Sequence, residues 1–172
     1  HDLNQYLEKN GYEDMIMSQT AIKAALYAIA NNENNACMGC IVACPTAGAS
    51  GVLPGTFLAV QEKYDWTNET LIQGFLVASG IGSIIAENAT LSGAEGGCQA
   101  EIGSAVAMSA SGITYMRGGT TEQCIEAAAL SLKNLLGLAC DPIGGMVEVP
   151  CIKRNAFGAQ YALIGSDLAM GG

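Results

Sequence analysis

Apolar residues recur along most of this chain at helical spacing. In "EDMIMSQTAIKAALYAIANN" (13–32), Met15, Ile16, Ile22, Leu26 and Ile29 fall near a 3.6-residue period, with acidic residues at the start and Asn at the end, which predicts an amphipathic helix. "TNETLIQGFLVASGIGSIIAENA" (67–89) opens with Thr67 and Thr70, both capping types, and its apolar centre predicts a buried helix. Residues 97–116 are mostly small, so a helix there would pack at short interaxial distance. The plainest helix is "GGTTEQCIEAAALSLKNLLG" (118–137), with Thr120 or Thr121 at the N-cap, Glu122 in the first turn and Gly137 as a left-handed stop. A last small-residue helix is predicted from Asn155 to about Met170.

Between these periodic segments lie glycine- and proline-rich stretches at 44–55, 91–97 and 140–151, expected as loops. Only the last contains a strand-like piece, "MVEV" at 146–149. The expected fold is therefore all-α, a compact helical domain rich in small residues whose loops carry the chemistry. No repeat, charge block or low-complexity tract divides the 172 residues, so a single domain over 1–172 is expected. Composition sharpens the picture: half the chain is apolar but only 6% aromatic, and 22 glycines point to closely approaching backbones.

A net charge of −9, with seven Lys and Arg, argues against nucleic acid and anionic membranes as partners. A neutral or zwitterionic small molecule fits better. The longest apolar run, "GFLVASGIGSIIA", is interrupted by three glycines and ends at Glu87, so no membrane span is expected. The chain starts at His1 without a signal-peptide pattern, and a piece of a longer or processed protein is expected.

Seven cysteines, an odd number without disulfide-scaffold spacing, suggest a reducing, cytoplasmic setting. Three of them crowd into "CMGCIVACPTAG" (37–48), and Cys37, Cys40 and Cys44, followed by Pro45, match part of a ferredoxin cluster run. A ferredoxin-like electron-transfer module is one reading, although a fourth cysteine is lacking. A structural zinc site would need a fourth ligand too, and the sole histidine is His1. The other set is Cys98, Cys140 and Cys151, each in or beside a glycine-rich loop. Cys98 follows "GAEGG" at a predicted helix start, where free N–H groups favour a thiolate. The ten residues between Cys140 and Cys151 include Pro142, Gly144, Gly145 and Pro150 and can fold back, with glycine letting the backbone approach a bulky inorganic group. Cys124, beside Ile125 on the 118–137 helix, reads as core. Spacing alone does not choose between the two sets.

Three segments do. "PTAGASGVLPG" (45–55), "LSGAEGGCQAEIGSA" (91–105) and "GLACDPIGGMVEVPCIKRNAFGA" (137–159) closely resemble the iron–sulfur-dependent L-serine dehydratases, in particular the α chain of the two-chain bacterial form. The resemblance runs from about residue 20 to the end. It implies that Cys98, Cys140 and Cys151 hold a [4Fe–4S] cluster with one iron free of protein thiolate, and that Cys37, Cys40 and Cys44 are small buried residues beside the "PTAG" motif. It also implies a chain that continues at both ends, and a separate β chain or domain carrying a serine- and histidine-containing motif, in an oligomeric assembly.

The implied reaction is elimination of water from L-serine. An open iron acts as Lewis acid toward the substrate carboxylate and β-hydroxyl, and loss of the α-proton and hydroxyl gives aminoacrylate, which tautomerises and hydrolyses to pyruvate and ammonia. Thr46, Ser50 and Glu95 are the catalytic candidates, with Glu101 the alternative carboxylate; all four also read as turn or helix-start residues. Thr46, Gly48, Ser50, Lys153 and Arg154 are candidates for holding the substrate, the two cations alternatively balancing the cluster's charge. Pyridoxal phosphate is not expected, because Lys9, Lys23, Lys63, Lys133 and Lys153 all lack a Schiff-base setting. With no internal histidine, imidazole catalysis within this chain is excluded. Cysteine desulfidation on a related scaffold is the nearest alternative.

Overall fold

Small side chains set the helix geometry. The computed structural model of the chain describes residues 2–146 and 148–172. Among these are seven α-helices and no strand: α1 (Asp2–Asn10), α2 (Gln19–Ala36), α3 (Val52–Tyr64), α4 (Asn68–Asn88), α5 (Gly93–Met116), α6 (Thr121–Lys133) and α7 (Glu148–Gly171), with a 3-10 turn at Tyr12–Asp14.

Helix α5 runs through the centre. Every residue from Ile102 to Thr114 is buried, the pattern of a helix surrounded on all sides. Helices α3, α4, α6 and α7 pack on it, and α2 lies against α3 and α7. The α2 stripe Ala21, Ala24, Ala25, Ala28 is buried at helical spacing. It meets α3 at Gly55, where a Cβ would lie 2.8 Å from Ala28 N and 2.9 Å from Ala24 O. Bulk is confined to a few positions such as Phe57, which is fully buried and meets Phe75 with ring centroids 4.7 Å apart.

Several elements differ from expectation. The helix expected over 13–32 is α2, which begins at Gln19 because Ser18 accepts from Ala21 N and caps it there; Ile16 is fully exposed. It also runs on to Ala36. Residues 52–55 belong to α3 rather than to a loop, and Pro54 is tolerated because the first-turn N–H groups have no helical partner to lose. Helix α7 starts at Glu148, with Pro150 in its first turn for the same reason. Of the strand-like 146–149, Met146 pairs only in an isolated bridge with Ile143, Val147 lies outside the described residues, and Glu148 and Val149 are helical. Helix α6 has the expected Thr120 cap, in a reciprocal capping box with Gln123, but ends at Lys133; Gly137 has its left-handed φ of 89° beyond a further turn.

Helix α4 has its predicted bounds and Thr67 cap, yet it is not buried all round. Leu71, Gly74, Ala78 and Gly82 face α5, while Ile72, Leu76 and Ile84 are exposed. By length and composition α4 is also apolar enough to cross a membrane, glycines notwithstanding. In the fold, one face of it is occupied by α5.

Candidate functional site

Cys98, Cys140 and Cys151 are far apart in sequence, and local geometry brings them together. Helix α5 is broken at Gly97, whose φ of 70° and ψ of −172° are open to glycine at little cost, so a regular helix restarts at Cys98. A Cβ at Gly97 would lie 3.4 Å from both Cys140 N and Leu138 O, so the glycine also admits the second cysteine's backbone. Two hydrogen bonds lock this approach: Gln99 N donates to Leu138 O (2.8 Å) and Gly137 N to Gln99 Oε1 (2.7 Å). From α7, Arg154 Nη1 donates to Ala139 O (2.6 Å), with Nη2 3.7 Å from Asp141 Oδ2. Arg154 thereby ties the helix of Cys151 to the loop of Cys140.

The three thiols feel one another. Burial pushes the Cys98 thiol up, opposed by a hydrogen bond and positive charge from Arg154, with Cys140 and Glu101 acting in the same direction as burial. Cys151 is pushed up to about 11, first by burial and then by Cys98, Glu101 and Cys140, Arg154 opposing. Cys98 is buried, Cys151 half-buried and Cys140 exposed, so the group reaches from interior to surface.

Beside it stands a carboxylate. Glu101 follows Cys98 by one helical turn and shares its face of α5. The Thr46 hydroxyl donates to Glu101 Oε1 at 2.5 Å and accepts from Ala49 N at 3.3 Å. Two glycines make room for that carboxylate: a Cβ on Gly48 would lie 2.7 Å from Glu101 Oε1, and one on Gly93 would lie 2.5 Å from Oε2. Thr46 and Gly48 of the 45–55 motif are thus in direct contact with the 91–105 motif.

The remaining candidates fall elsewhere. Glu95 is exposed and accepts from Thr90 Oγ1 at 2.5 Å, on the outer side of the α5 break. Ser50 is fully buried and accepts from Asn31 Nδ2 at 2.8 Å, a link within the scaffold. Lys153 is exposed and borders two other cavities, one of them facing Lys23, Tyr27 and Glu33 of α2. Arg154 is engaged by the cysteine loop, through Ala139 O and Asp141. A cavity of about 620 Å³ lies between the 134–143 segment and α7 and has no cysteine in its walls. The fold also corrects the first cysteine cluster: Cys37 and Cys40 are exposed and Cys44 half-buried, because Cys37 caps α2 and the chain then leaves the surface as a loop. Cys124 is buried on α6, as core.

Two residues had no role in the sequence reading. Asn32 and Asn155 are both buried and meet at the 48–51 loop. Asn32 continues the buried alanine stripe of α2, four residues after Ala28, and a polar residue at such a position was the available signal.

Among the described residues no group of three His, Cys, Asp or Glu side chains is placed to hold a single metal ion. By donor chemistry alone, three thiols are of the type that soft iron–sulfur groups take. The burial-raised protonation of Cys98 and Cys151 would reverse on ligation, since a coordinating thiol is deprotonated.

The family described as "Serine dehydratase alpha chain" matches residues 2–172. The "Probable L-serine dehydratase, alpha chain" of Bacillus subtilis (strain 168) is 54% identical over 151 residues, 88% of this chain and 50% of that protein. The "L-serine dehydratase, alpha chain" of Peptoniphilus asaccharolyticus is 50% identical over 157 residues, 91% of this chain and 54% of its own. A "Probable L-serine dehydratase, alpha chain" from Latilactobacillus sakei is 46% identical over 151 residues, 88% of this chain and 72% of its own. The chain spans about half the length of the first two relatives. With the family match covering all but the first residue, this chain belongs to the serine dehydratase alpha chain family.

Proposed function

We propose that this chain supplies the cluster-binding half of an iron–sulfur L-serine dehydratase, a carbon–oxygen lyase that converts L-serine to pyruvate and ammonia. The observation that carries the reading is the shared neighbourhood of Cys98, Cys140 and Cys151 with the Thr46–Glu101 pair. Cys98, Cys140 and Cys151 would hold a [4Fe–4S] cluster, and Arg154 would offset its negative charge. When bound, such a cluster supplies a Lewis-acidic iron that makes the β-hydroxyl a better leaving group.

The chain's own residues handle the proton. Thr46 Oγ1 takes the α-proton of serine while passing its own proton to Glu101 Oε1, already its hydrogen-bond acceptor. The Cα–H electron pair becomes the Cα–Cβ double bond, and hydroxide leaves from Cβ. Aminoacrylate then tautomerises to the imine and takes up water, releasing ammonia. Ala49 N–H holds the Thr46 oxygen in register, and Gly48 and Gly93 keep the carboxylate in place. Glu101, rather than Glu95, is the carboxylate in this reading. The relatives named as α chains support a separate β chain as partner.

The test is pyruvate formation from L-serine by the anaerobically reconstituted protein with its partner chain, alongside Glu101→Gln and Thr46→Ala. General acid–base groups contribute roughly 10²–10⁴-fold, so kcat should fall by that order in each variant with the cluster retained. Unchanged turnover in Glu101→Gln would remove the proton relay. Preferential turnover of L-cysteine would favour desulfidation instead.

A further inference from the structure

The loop 46–51 carries Thr46. Besides its own turn bonds, such as Ser50 N to Ala47 O, and ties from Asn31 and Asn35, it is gripped at Gly48 and Gly51 by two buried amides from different helices. Asn155 of α7 donates through Nδ2 to Gly48 O (2.6 Å) and to Cys151 O (2.8 Å), and accepts from Gly51 N at 3.0 Å. Asn32 of α2, in the amide orientation that hydrogen-bond pairing selects, donates to Gly48 O (3.2 Å) and shares the Gly51 N–H with Asn155 (3.2 Å), its oxygen packing 3.1 Å from Asn155 Nδ2 and 2.9 Å from Asn155 Oδ1. Both side chains are almost wholly buried, at 2% and 0% exposure, so no water competes for these bonds. Gly51 lets the pair close, since a Cβ there would lie 2.4 Å from Ala28 O and 2.5 Å from the Asn32 amide.

One atom, Asn155 Nδ2, therefore touches both the carbonyl of the third cluster cysteine and the carbonyl two residues after Thr46. We infer that Asn155 and Asn32 form a positioning clamp that sets the Thr46–Glu101 relay in register with the Cys151 end of the cluster site, an inference that rests on the dehydratase reading above. Neither amide touches the reacting atoms in this account. Loss of the clamp leaves the three thiols in place but lets the loop drift, and a misplacement of about 1 Å can cost on the order of 10²-fold in rate. The effect should fall on proton transfer more than on substrate capture.

The test uses Asn155→Ala, Asn155→Asp and Asn32→Ala in the reconstituted protein. Asn155→Asp keeps the shape and the acceptor toward Gly51 while losing both donors, so it carries the test where the alanine variant fails to fold. The expected result is a kcat lower by on the order of 10²-fold with a much smaller change in KM, an undiminished reduced-cluster EPR signal, and a serine-induced shift of that signal. The double variant Asn32→Ala/Asn155→Ala should cost little more than either single one, as expected of residues that act as a unit. Loss of the cluster in step with activity, or an unchanged kcat, would overturn the inference. Hydrogen exchange at Gly51 N–H in the cluster-free chain separates this from the enzyme assignment. The clamp predicts protection that the double variant Asn32→Ala/Asn155→Ala abolishes, whether or not serine is turned over; protection that survives that change would overturn the clamp alone.

Discussion

Two regions of this molecule hold three cysteines each, and they behave in opposite ways. Cys37, Cys40 and Cys44 lie within eight residues, yet they line a surface loop with two thiols exposed. Cys98, Cys140 and Cys151 span more than fifty residues, yet the Gly97 break, the Gln99 bonds and Arg154 bring them into one electrostatic neighbourhood. Density along the chain says how cheaply thiols can meet; only the backbone around them says whether they do. In the second region, hydrogen bonds tie together the segments that carry the thiols.

The largest effect expected from this contrast is on turnover. Cys151→Ser should abolish pyruvate formation, whereas the triple change Cys37→Ala/Cys40→Ala/Cys44→Ala should leave it within about twofold, because those side chains touch none of the proposed relay. Assays of serine turnover on both proteins would check this. Next come Gly48→Ala and Gly93→Ala, each adding a methyl group to the space of the Glu101 carboxylate. Each should lower kcat by on the order of 10²-fold with iron and sulfide content unchanged, measured by steady-state kinetics and metal analysis.

The two regions should also differ in reactivity before any cluster is built. Cys37 and Cys40 are exposed, while Cys151 is half-buried and keeps its proton to about 11. Since the thiolate is the nucleophile, iodoacetamide at pH 8 should label Cys37 and Cys40 faster than Cys151 by roughly tenfold or more, read by peptide mass spectrometry. The smallest effect belongs to a site outside both regions. Lys23, then Tyr27, hold the Glu62 carboxyl below its ordinary value of 4.5. A carboxylate with a depressed folded value stabilises above that ordinary value and loses its contribution as pH falls through the folded one. Thermal melts should therefore show Glu62→Gln slightly less stable at pH 7, with the gap closing below about pH 4.5. The gap stays small because the Glu62 side chain is 43% exposed.

Much of this was readable from the chain, for identifiable reasons. The Thr67 and Thr120 caps marked two helix starts because a hydroxyl before a periodic run has one favourable partner, the N–H three residues on. The 91–97 segment expected as a loop is helical from Gly93, while the helix start expected at Cys98 appears as a restart after Gly97, whose φ is 70°. Helix α3 was hidden because Gly51, Pro54 and Gly55 look like loop punctuation, whereas here glycine serves close approach to α2 and proline sits in a first turn. The choice of Glu101 over Glu95 needed three dimensions: both flank Cys98, and only the broken turn at Gly97 sends one outward to Thr90 and the other to Thr46. The Asn32–Asn155 pair joins residues more than a hundred positions apart, beyond the reach of any local pattern.

The central claim is that Cys98, Cys140 and Cys151, not the crowded first set, bind the cluster. The most direct measurement is anaerobic iron–sulfur reconstitution of the protein, with EPR of the reduced cluster and iron and sulfide counts, on the Cys98→Ser variant and on the Cys37→Ala/Cys40→Ala/Cys44→Ala variant. The account predicts that a four-iron signal persists in the triple variant, shifts on adding L-serine, and is lost in Cys98→Ser. A signal that survives in Cys98→Ser, ignores serine and vanishes in the triple variant would contradict it and move the cluster to the surface loop.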